Sequence, residues 1–574
     1  MMLRQPLRYL HRFVKVQRQS AKQVDLLTTR VKQDAEAREI ICRAANTDSS
    51  SSEMSPLETS EQSQSSGRGR TFWTIVATMV PVVVGVLGYE QLKRSGTATV
   101  TASLPQYAIE DVMQHNNTET GIWVTYGTDV YDITEFVDSH PGGDKILLAA
   151  GHSIEPFWDL YTVHHKGEVK EILDSMKIGQ ITLVDRMRLA NRTKHDPYEK
   201  EPARAPVFRV NSLKPFDGEP LPHSLIKNFV TPNSHFYIRN HLPVPEINID
   251  TYKLEIKIAS KPAIVLSMEE LRSKFKKHTV MATLQCAGNR RAEMSEHKNV
   301  SGSISGVASI SNATWGGARL RDVLLYAGYT EDDAEVKHIH FEGLDNDIAK
   351  EPYIVSIPIE KAANPLGDVL LVYEMNGKEL PRDHGYPLRV IVPGVIGARS
   401  VKWLGRILAD SDETLSFWQT KDYKSSPPTP HTGCFDFRDA PPIYESPVNS
   451  VVCEPEPGEV LQPVDGEISV RGYAFSGGGN SILRVDVSAD GGKTWHSADL
   501  HAQEQTPYRT WTWTLWEIKV PVLENSDKVE IMCKAIDSFH NVQPDSISGI
   551  WNLRGFLNNT WHRVNVSTTS NDNQ

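Results

Sequence analysis

The sequence has 574 residues, which is enough for several domains, because a single hydrophobic core seldom extends beyond a few hundred residues. Its net charge of -11 argues against general nucleic-acid binding, which needs a basic surface. The five cysteines contain no CxxC pair, so the sequence suggests neither a disulfide framework nor a zinc module.

The first 90 residues differ from the rest. Residues 1–70 begin with a stretch rich in Arg and Lys and continue as a Ser-rich polar linker, a pattern typical of a cleaved mitochondrial presequence. Residues 71–90 contain the uncharged run "TFWTIVATMVPVVVGVLGY", which is about long enough to cross a thin bilayer. Together the two signals predict sorting to the mitochondrial intermembrane space. There the apolar segment either remains as a membrane tether or is removed by a second cleavage.

Residues 104–185 contain two motifs that carry histidines. In "VYDITEFVDSHPGG", His140 lies in a turn whose glycines allow close approach to a flat macrocycle, and "FWDLYTVHH" carries His164 and His165. Two imidazoles saturate a haem iron, which suits electron transfer better than oxygen chemistry. The stretch resembles cytochrome b5 domains, which implies a small α+β fold and a b-type haem with His140 and His164 as axial ligands. His165 is the alternative second ligand, because the sequence does not determine how that segment is rotated.

A hinge and a mixed domain are predicted next. Residues 186–206 are polar, contain several prolines, and predict an exposed, flexible hinge. Residues 207–425 alternate strand-like and helix-like runs, which predicts a mixed α+β domain. Within it, "SMEELRSKF" predicts a helix, since Ser267 can cap its first turn and Glu270 lies three residues on.

Cys286 lies in "TLQCAGNRR", after an apolar strand-like run and just before Arg290 and Arg291. Neighbouring positive charge lowers the pKa of a thiol, and a thiolate is a strong ligand for a soft metal. The arginines could equally bind an anion beside that metal. Further residues suit an anionic cofactor that bears a phosphate: Arg239, Asn240, His241, His384, Arg389, Arg399 and Lys402. Taken alone, Cys286 could also be an inert thiol, and each arginine could also form a surface ion pair.

Residues 426–574 predict an immunoglobulin-like β-sandwich. Their runs alternate apolar and polar residues at period two, and "ADGG" between two such runs predicts a hairpin turn. Trp511, Trp513 and Trp516 alternate within "RTWTWTLWEIKV", where tryptophans are more often core residues than part of a dimer face.

Four runs of residues resemble the eukaryotic sulfite oxidase family, which shares its molybdenum domain with assimilatory nitrate reductases. They are "FYIRNHLPVP", "TLQCAGNRR", "YEMNGKELPRDHGYPLRVIVPGVIGARSVKWL" and "IWNLRG". The resemblance implies an α+β multidomain protein with a molybdenum–molybdopterin cofactor and a homodimer formed through the C-terminal domain. The haem domain comes first and no flavin module follows, which is the arrangement of the animal enzymes and not of the plant nitrate reductases.

The resemblance also implies roles for individual residues. Cys286 is the protein ligand to molybdenum, and Tyr353 is an active-site tyrosine. The anion pocket would use Arg239, Arg291 and Arg554, with Gly555 packed behind it. The pterin would be held by Tyr237, Ile238, Arg239, Asn240, His241, Asp345, His384, Arg389, Ser400, Val401 and Lys402.

The sequence departs from the family pattern at Ser301 and Ser305, where the family usually carries a lysine and a tryptophan. Losing a positive charge and a wall residue predicts weaker substrate attraction or altered substrate choice, unless nearby basic residues compensate. The expected activity is oxidation of sulfite to sulfate, with electrons passed through the haem to cytochrome c. The alternatives are a related molybdenum oxidoreductase with another small substrate, and a membrane-tethered haem protein whose molybdenum domain is not catalytic.

Overall fold

The computed structural model describes residues 104–190, 196–425, 440–522 and 527–569. The predicted presequence, polar linker and apolar segment, residues 1–90, lie outside these ranges. Within the described ranges, no helix is both long and apolar enough to cross a membrane. We refer to residues 104–190 as the N-terminal domain, 196–425 as the middle domain and 440–569 as the C-terminal domain.

The N-terminal domain is a small α+β unit, as predicted. Its five strands pair in the order β1-β5-β4-β3-β2. The strands are β1 (Gln106–Tyr107), β2 (Asn116–Asn117), β3 (Gly121–Tyr126), β4 (Asp129–Asp132) and β5 (Lys177–Ile181). The helices are α1 (Ile109–Gln114), α2 (Glu155–Leu160), α3 (Gly167–Ser175) and α4 (Leu183–Ala190), with 3-10 turns at Thr134–Ser139, Gly143–Ala149 and Thr162–His165.

The middle domain contains three sheets. One has the order β10-β9-β18-β13-β14, the second has β11-β12-β15-β16 with β17 also on β15, and the third is β6-β7-β8. The strands are β6 (Phe208–Leu213), β7 (Phe216–Pro220), β8 (Ile238–Arg239), β9 (Leu254–Ile258), β10 (Ile264–Leu266), β11 (Lys277–Gln285), β12 (Ile310–Arg319), β13 (His338–Asn346), β14 (Pro352–Pro358), β15 (Leu370–Met375), β16 (Lys378–Glu379), β17 (Arg389–Ile391) and β18 (Leu404–Asp410).

Short helices join these strands. They are α5 (Pro222–Leu225), α6 (Met268–Lys274), α7 (Arg291–His297), α8 (Leu320–Tyr326) and α9 (Ile359–Ala362), with a π-helical turn at Trp418–Asp422. The predicted start of α6 is confirmed. The hydroxyl of Ser267 accepts a hydrogen bond from the Glu270 N–H, and the Glu270 carboxylate accepts one from the Ser267 N–H, so two free donors at the helix start are satisfied.

The predicted hinge is only partly exposed. The chain is helical to Ala190, and after residues 191–195 it packs against the rest of the protein. Tyr198 is 5% exposed, and its hydroxyl donates to the Leu160 carbonyl at 2.6 Å. The Arg204 guanidinium donates to Asp383. A proline-rich polar composition predicted an exposed linker here, but one aromatic ring and one ion pair bind its second half to the protein surface.

The C-terminal domain confirms the predicted β-sandwich. Its sheets have the orders β19-β21-β25-β24 and β20-β27-β26-β22-β23. The strands are β19 (Asn449–Glu454), β20 (Val460–Leu461), β21 (Glu467–Phe475), β22 (Ile482–Ser488), β23 (His496–Ser497), β24 (Asp499–His501), β25 (Thr514–Pro521), β26 (Lys528–Asp537) and β27 (His562–Thr568).

Two predictions about residues of this sandwich are also confirmed. The "ADGG" turn joins the antiparallel strands β22 and β23. The three tryptophans Trp511, Trp513 and Trp516 are buried, at 5%, 0% and 1% exposed. They therefore belong to the interior of the protein, where each packs into a different hydrophobic cluster.

Candidate active site

The N-terminal domain brings two imidazole rings close together. The rings of His140 and His164 are nearly parallel, at 14°, and their centroids are 6.3 Å apart. A centroid distance of this size suits two imidazoles that bind one metal edge-on through their ring nitrogens, because each metal–nitrogen bond is about 2 Å long. Nδ1 of His140 lies 3.0 Å from the Gly143 carbonyl, and Nδ1 of His164 lies 2.8 Å from the Tyr161 carbonyl. Each Nδ1–H can thus donate to backbone, which leaves Nε2 available as a ligand.

These features fit a haem with two axial histidines. Gly142 makes the close approach possible, since a Cβ there would lie 2.7 Å from Cε1 of His140. Burial lowers the pKa of both imidazoles, which favours the neutral, ligand-competent form. The alternative ligand, His165, lies elsewhere: its Nε2 faces Asp159 at 3.7 Å on an exposed edge. The structure therefore favours His164 over His165.

The middle domain contains a cavity that gathers most of the residues implied by the resemblance. It encloses about 690 Å³ of space free of protein atoms, part of it open to solvent. Its lining includes these predicted residues: Tyr237, Arg239, His241, Cys286, Asp345, Tyr353, His384, Arg389, Ser400, Val401 and Lys402. These residues come from separate elements, from β8 to the turn after β17, so only the fold brings them together.

Four predicted residues do not line the cavity: Ile238, Asn240, Arg291 and Arg554. The β8 segment explains the first two. Successive side chains of an extended strand point to opposite faces. Tyr237, Arg239 and His241 line the cavity, whereas Ile238 and Asn240 do not. Asn240 instead supports the wall, because its Oδ1 accepts from the Lys402 ammonium and its Nδ2 donates to Asp383 at 3.1 Å.

Cys286 directly follows β11, at the edge of the cavity. Its Sγ accepts a hydrogen bond from the Gly288 N–H at 3.4 Å. Burial raises the pKa of the Cys286 thiol, while Arg291 and Arg239 act in the opposite direction. The predicted effect of positive charge is therefore present, but burial outweighs it in the protein without a metal.

The two adjacent arginines have different surroundings. Arg290 is fully buried and points towards the C-terminal domain, where it donates to Asn449 and to the Thr560 carbonyl, and it also pairs with Glu293. Its left-handed φ of 65° ends the turn after Cys286. Arg290 thus has a structural role, and only Arg291 is directed towards the cysteine.

Arg291 is held in a cradle of glycines. A Cβ at Gly288 would lie 2.6 Å from its Cζ, one at Gly302 would lie 2.9 Å from its Nη1, and one at Gly555 would lie 2.6 Å from its Cγ. Its Nε donates to the Arg554 carbonyl at 2.9 Å, and its Nη1 donates to the Ser303 carbonyl at 2.6 Å. Gly555, which was predicted to pack behind the anion pocket, lies against the Arg291 side chain.

The other predicted arginines also have identifiable partners. Arg239 faces the buried carboxylate of Asp217, with 3.5 Å between Nε and Oδ2. Arg554 pairs with Asp422 at 3.3 Å and donates to the Lys421 carbonyl. Arg399, which the sequence grouped with the cofactor residues, is fully buried behind the cavity and donates to the Ile443 carbonyl. It is therefore a structural residue.

Two buried polar atoms at the cavity have no hydrogen-bond partner among the described residues. They are Oδ1 of Asp345 and Nε of Arg389. A buried polar group normally has a partner, so both atoms indicate a polar ligand in the cavity. Burial lowers the pKa of Lys402, raises that of Asp345, and lowers that of His384 to about 3. These buried polar side chains, two of which have an unpartnered atom, fit a polar, phosphate-bearing pterin.

Some residues of the site could not be found from the sequence motifs. They are aromatic or acidic: Asp217, Trp418 and Tyr423. Tyr423 lines the cavity, and its hydroxyl lies 2.6 Å from Nε2 of His241. Each is isolated in the sequence, and the only available signal was that Trp418 and Tyr423 fall in one short run after β18.

The two serines that depart from the family pattern lie beside Arg291. Ser301 is partly exposed, and its N–H donates to the Leu553 carbonyl at 2.7 Å. Ser305 is 1% exposed, and its carbonyl accepts from the Ala292 N–H. Neither side chain lines the cavity. In the described residues, no group of three or more His, Cys, Asp or Glu could hold a metal ion, so the candidate metal sites rest on one cysteine and on a pair of histidines.

Three family models match the chain in the order of its domains. Residues 108–182 match a cytochrome b5-like heme/steroid binding domain, 241–418 an oxidoreductase molybdopterin binding domain, and 440–569 a Mo-co oxidoreductase dimerisation domain. With the paired histidines and the cysteine-lined cavity, these matches define an oxidoreductase that has a haem-binding and a molybdopterin-binding domain.

Characterised relatives narrow this class. The chain is 52% identical to the sulfite oxidase of Gallus gallus over 462 residues, which cover 80% of this chain and 100% of that one. It is 44% identical to the mitochondrial sulfite oxidase of Homo sapiens over 559 residues, covering 97% and 99%. The chain belongs to the sulfite oxidase family.

Two more distantly related proteins share part of this architecture. The nitrate reductase of Hordeum vulgare is 37% identical over 376 residues, which are 63% of this chain but only 42% of that one. The crystal structure of the sulfane dehydrogenase SoxCD from Paracoccus pantotrophus superposes with a TM-score of 0.50 and 25% identity, covering 64% of this chain and 86% of that one.

Proposed function

We propose that this protein oxidises sulfite to sulfate at a molybdenum–molybdopterin centre and passes the electrons through a b-type haem to cytochrome c. One observation carries the proposal: the cavity combines a cysteine at the end of a strand with cationic residues and with buried polar atoms that have no protein partner. An unpaired buried donor or acceptor is costly, so these atoms favour a resident polar cofactor over an empty cavity.

The cofactor would be held by the predicted residues around the cavity. Arg389, His384 and Lys402 supply donors for the pterin and its phosphate, and Asp345 supplies an acceptor. Cys286 would be the protein ligand to molybdenum. When bound, the molybdenum centre supplies the oxygen atom that sulfite gains and accepts two electrons.

Arg239, Arg291 and Arg554 would hold the sulfite anion. Arg291 uses its Nε and Nη1 for backbone carbonyls, which fixes its position and leaves its Nη2 for the anion. Tyr353 would act as a hydrogen-bond donor to the substrate. Burial raises the pKa of its phenol, so it stays protonated and can donate. In this structure its hydroxyl donates to the Ala398 carbonyl at 3.0 Å.

His140 and His164 would hold the haem iron, and two histidine ligands suit electron transfer. The N-terminal pattern and the mitochondrial relatives support mitochondrial localisation. We propose the intermembrane space as the compartment, because the protein would encounter cytochrome c there. We further propose domain limits at 104–185, 186–206, 207–425 and 426–574, and a homodimer formed through the last. The match of residues 440–569 to a dimerisation domain supports that homodimer.

The test is a sulfite–cytochrome c assay on protein made in a host that supplies the cofactor, with molybdenum and haem quantified in the same sample. We expect one molybdenum and one haem per chain and sulfite-dependent reduction of cytochrome c. The variant Cys286→Ala should lose that activity. Cys453→Ala, which removes a buried thiol from the C-terminal domain, should keep it.

Three other results would each contradict the proposal in a different way. Fully loaded protein that does not respond to sulfite would favour another small substrate. Protein without molybdenum would favour the non-catalytic haem protein. Equal activity in the Cys286→Ala variant would remove the assigned metal ligand.

A further inference from the structure

One lysine side chain of the N-terminal domain contacts the middle domain closely. The Lys145 ammonium lies 3.1 Å from Oδ2 of Asp347, and their side chains are only 28% and 6% exposed. The same ammonium lies over the rings of Phe417 and Trp418, 4.9 and 5.4 Å from their centroids. A cation that meets both a mostly buried carboxylate and two aromatic faces has specific partners and is not a freely solvated surface charge.

A second contact joins the same two domains. The Tyr198 hydroxyl donates to the Leu160 carbonyl at 2.6 Å, and Leu160 is 1% exposed within the main core of the middle domain. The next residue, Tyr161, packs against that core as well, and its carbonyl is the partner of Nδ1 of His164. The residue next to this contact is therefore hydrogen-bonded to His164, one of the two paired histidines.

The face that Lys145 covers is also the back of the cavity wall. The ring of Trp418 lies 5.0 Å from that of His241 and 5.0 Å from that of Tyr353, and both of these residues line the cavity. One aromatic layer thus separates Lys145 from the candidate active site. Lys145 is itself five residues beyond His140 in the sequence.

We propose that Lys145 docks the haem-binding domain on the face formed by Asp347, Phe417 and Trp418, and that this docked state sets the rate at which electrons pass between the two centres. Lys145 is a positioning residue, since it acts through the contact between the domains and does not line the cavity. The electrons are those that sulfite oxidation releases and the haem iron accepts, so the proposal rests on the proposed function for its kinetic consequence but not for the contact itself.

The contact can be tested without any catalysis. A carbodiimide joins a lysine amine to a carboxylate only where the two touch, so full-length protein should yield a Lys145–Asp347 cross-link identifiable by mass spectrometry. The yield should fall as salt is raised, because the pair is partly exposed. Lys170, an exposed lysine on α3, is the matched control. No cross-link at Lys145, or one to Lys170 with equal yield, would overturn the docking contact.

The kinetic consequence needs the loaded enzyme and a stopped-flow instrument. In Lys145→Met, reduction of the molybdenum by sulfite should be unchanged, whereas reduction of the haem should slow about tenfold, the effect of losing one charge-assisted contact. Lys170→Met should change neither rate, and the charge exchange Lys145→Asp with Asp347→Lys should recover part of the loss. An unchanged haem rate in Lys145→Met would refute the positioning role.

The two proposals fail in different ways. If sulfite does not reduce the metal in the unaltered protein, the proposed function fails while the cross-link still reports the docking. If sulfite reduces the metal normally but Lys145→Met has no effect on haem reduction, only the docking role fails.

Discussion

Replacement of Gly288 by alanine should displace Arg291 and weaken anion binding. Gly288 lies in the turn between Cys286 and α7, and a Cβ there would stand 2.6 Å from both Cζ and Nη2 of Arg291. Real Cβ atoms do not approach other atoms so closely, so the guanidinium must move. The Gly288 backbone is not in the left-handed region, so the strain comes from this collision and not from the backbone.

The magnitude follows from what holds Arg291. Its Nε and Nη1 donate to the carbonyls of Arg554 and Ser303. Losing one hydrogen bond from a charged donor costs about 1.5–3 kcal/mol, which corresponds to a loss of about tenfold to 150-fold in affinity if the anion bond is the one broken. The KM for sulfite should rise by that factor, and kcat should change less, because Arg291 holds the anion in the ground state as well.

Steady-state kinetics with sulfite, alongside a thermal unfolding curve, tests the prediction. Gly549→Ala is the matched control, since a Cβ there meets no atom within 4 Å and the residue is exposed. An unchanged KM in Gly288→Ala would refute the reasoning that these glycines position Arg291. A large fall in Tm without a change in KM would show that the cradle serves stability alone.

Three further predictions concern other parts of the molecule. Gly142→Ala should lower haem occupancy, measured as haem absorbance per chain, because its Cβ would lie 2.7 Å from the His140 ring; full occupancy would contradict this. Ser301→Lys should lower the KM for sulfite, because Ser301 is partly exposed and a lysine there adds positive charge near Arg291; an unchanged KM would show that other basic residues already compensate. Burial lowers the pKa of His562 from 6.5 to about 4. The unfolded chain therefore binds the extra proton first, and the free energy of unfolding should fall as the pH drops from about 6.5 towards 4. His562→Asn should flatten that dependence in denaturant titrations, and an equal slope would assign it to other groups.

The sequence alone determined the local features. The period-two runs of the C-terminal domain, the "ADGG" hairpin and the capped start of α6 depend on neighbouring residues, so patterns of neighbours predict them. The same holds for the turn around His140, where the glycines that let the ring approach a macrocycle stand next to it in the chain.

Only the tertiary structure decided between adjacent residues of the same type. Arg290 and Arg291 are equivalent in the sequence, yet one is buried against the C-terminal domain and the other lies beside Cys286, because the turn at Arg290 directs them apart. Likewise, His164 lies opposite His140, whereas the adjacent His165 lies beside the exposed Asp159.

The cavity was the least predictable part. Its residues come from elements that are distant in the sequence, and Trp418 and Tyr423 join it through packing that no local pattern encodes. The second half of the expected hinge packs for the same reason, since Tyr198 finds its partner in another domain. Composition and spacing indicate the local secondary structure that a segment favours. The positions of Arg291, Lys145 and Tyr198 depend instead on surfaces that exist only after the chain has folded.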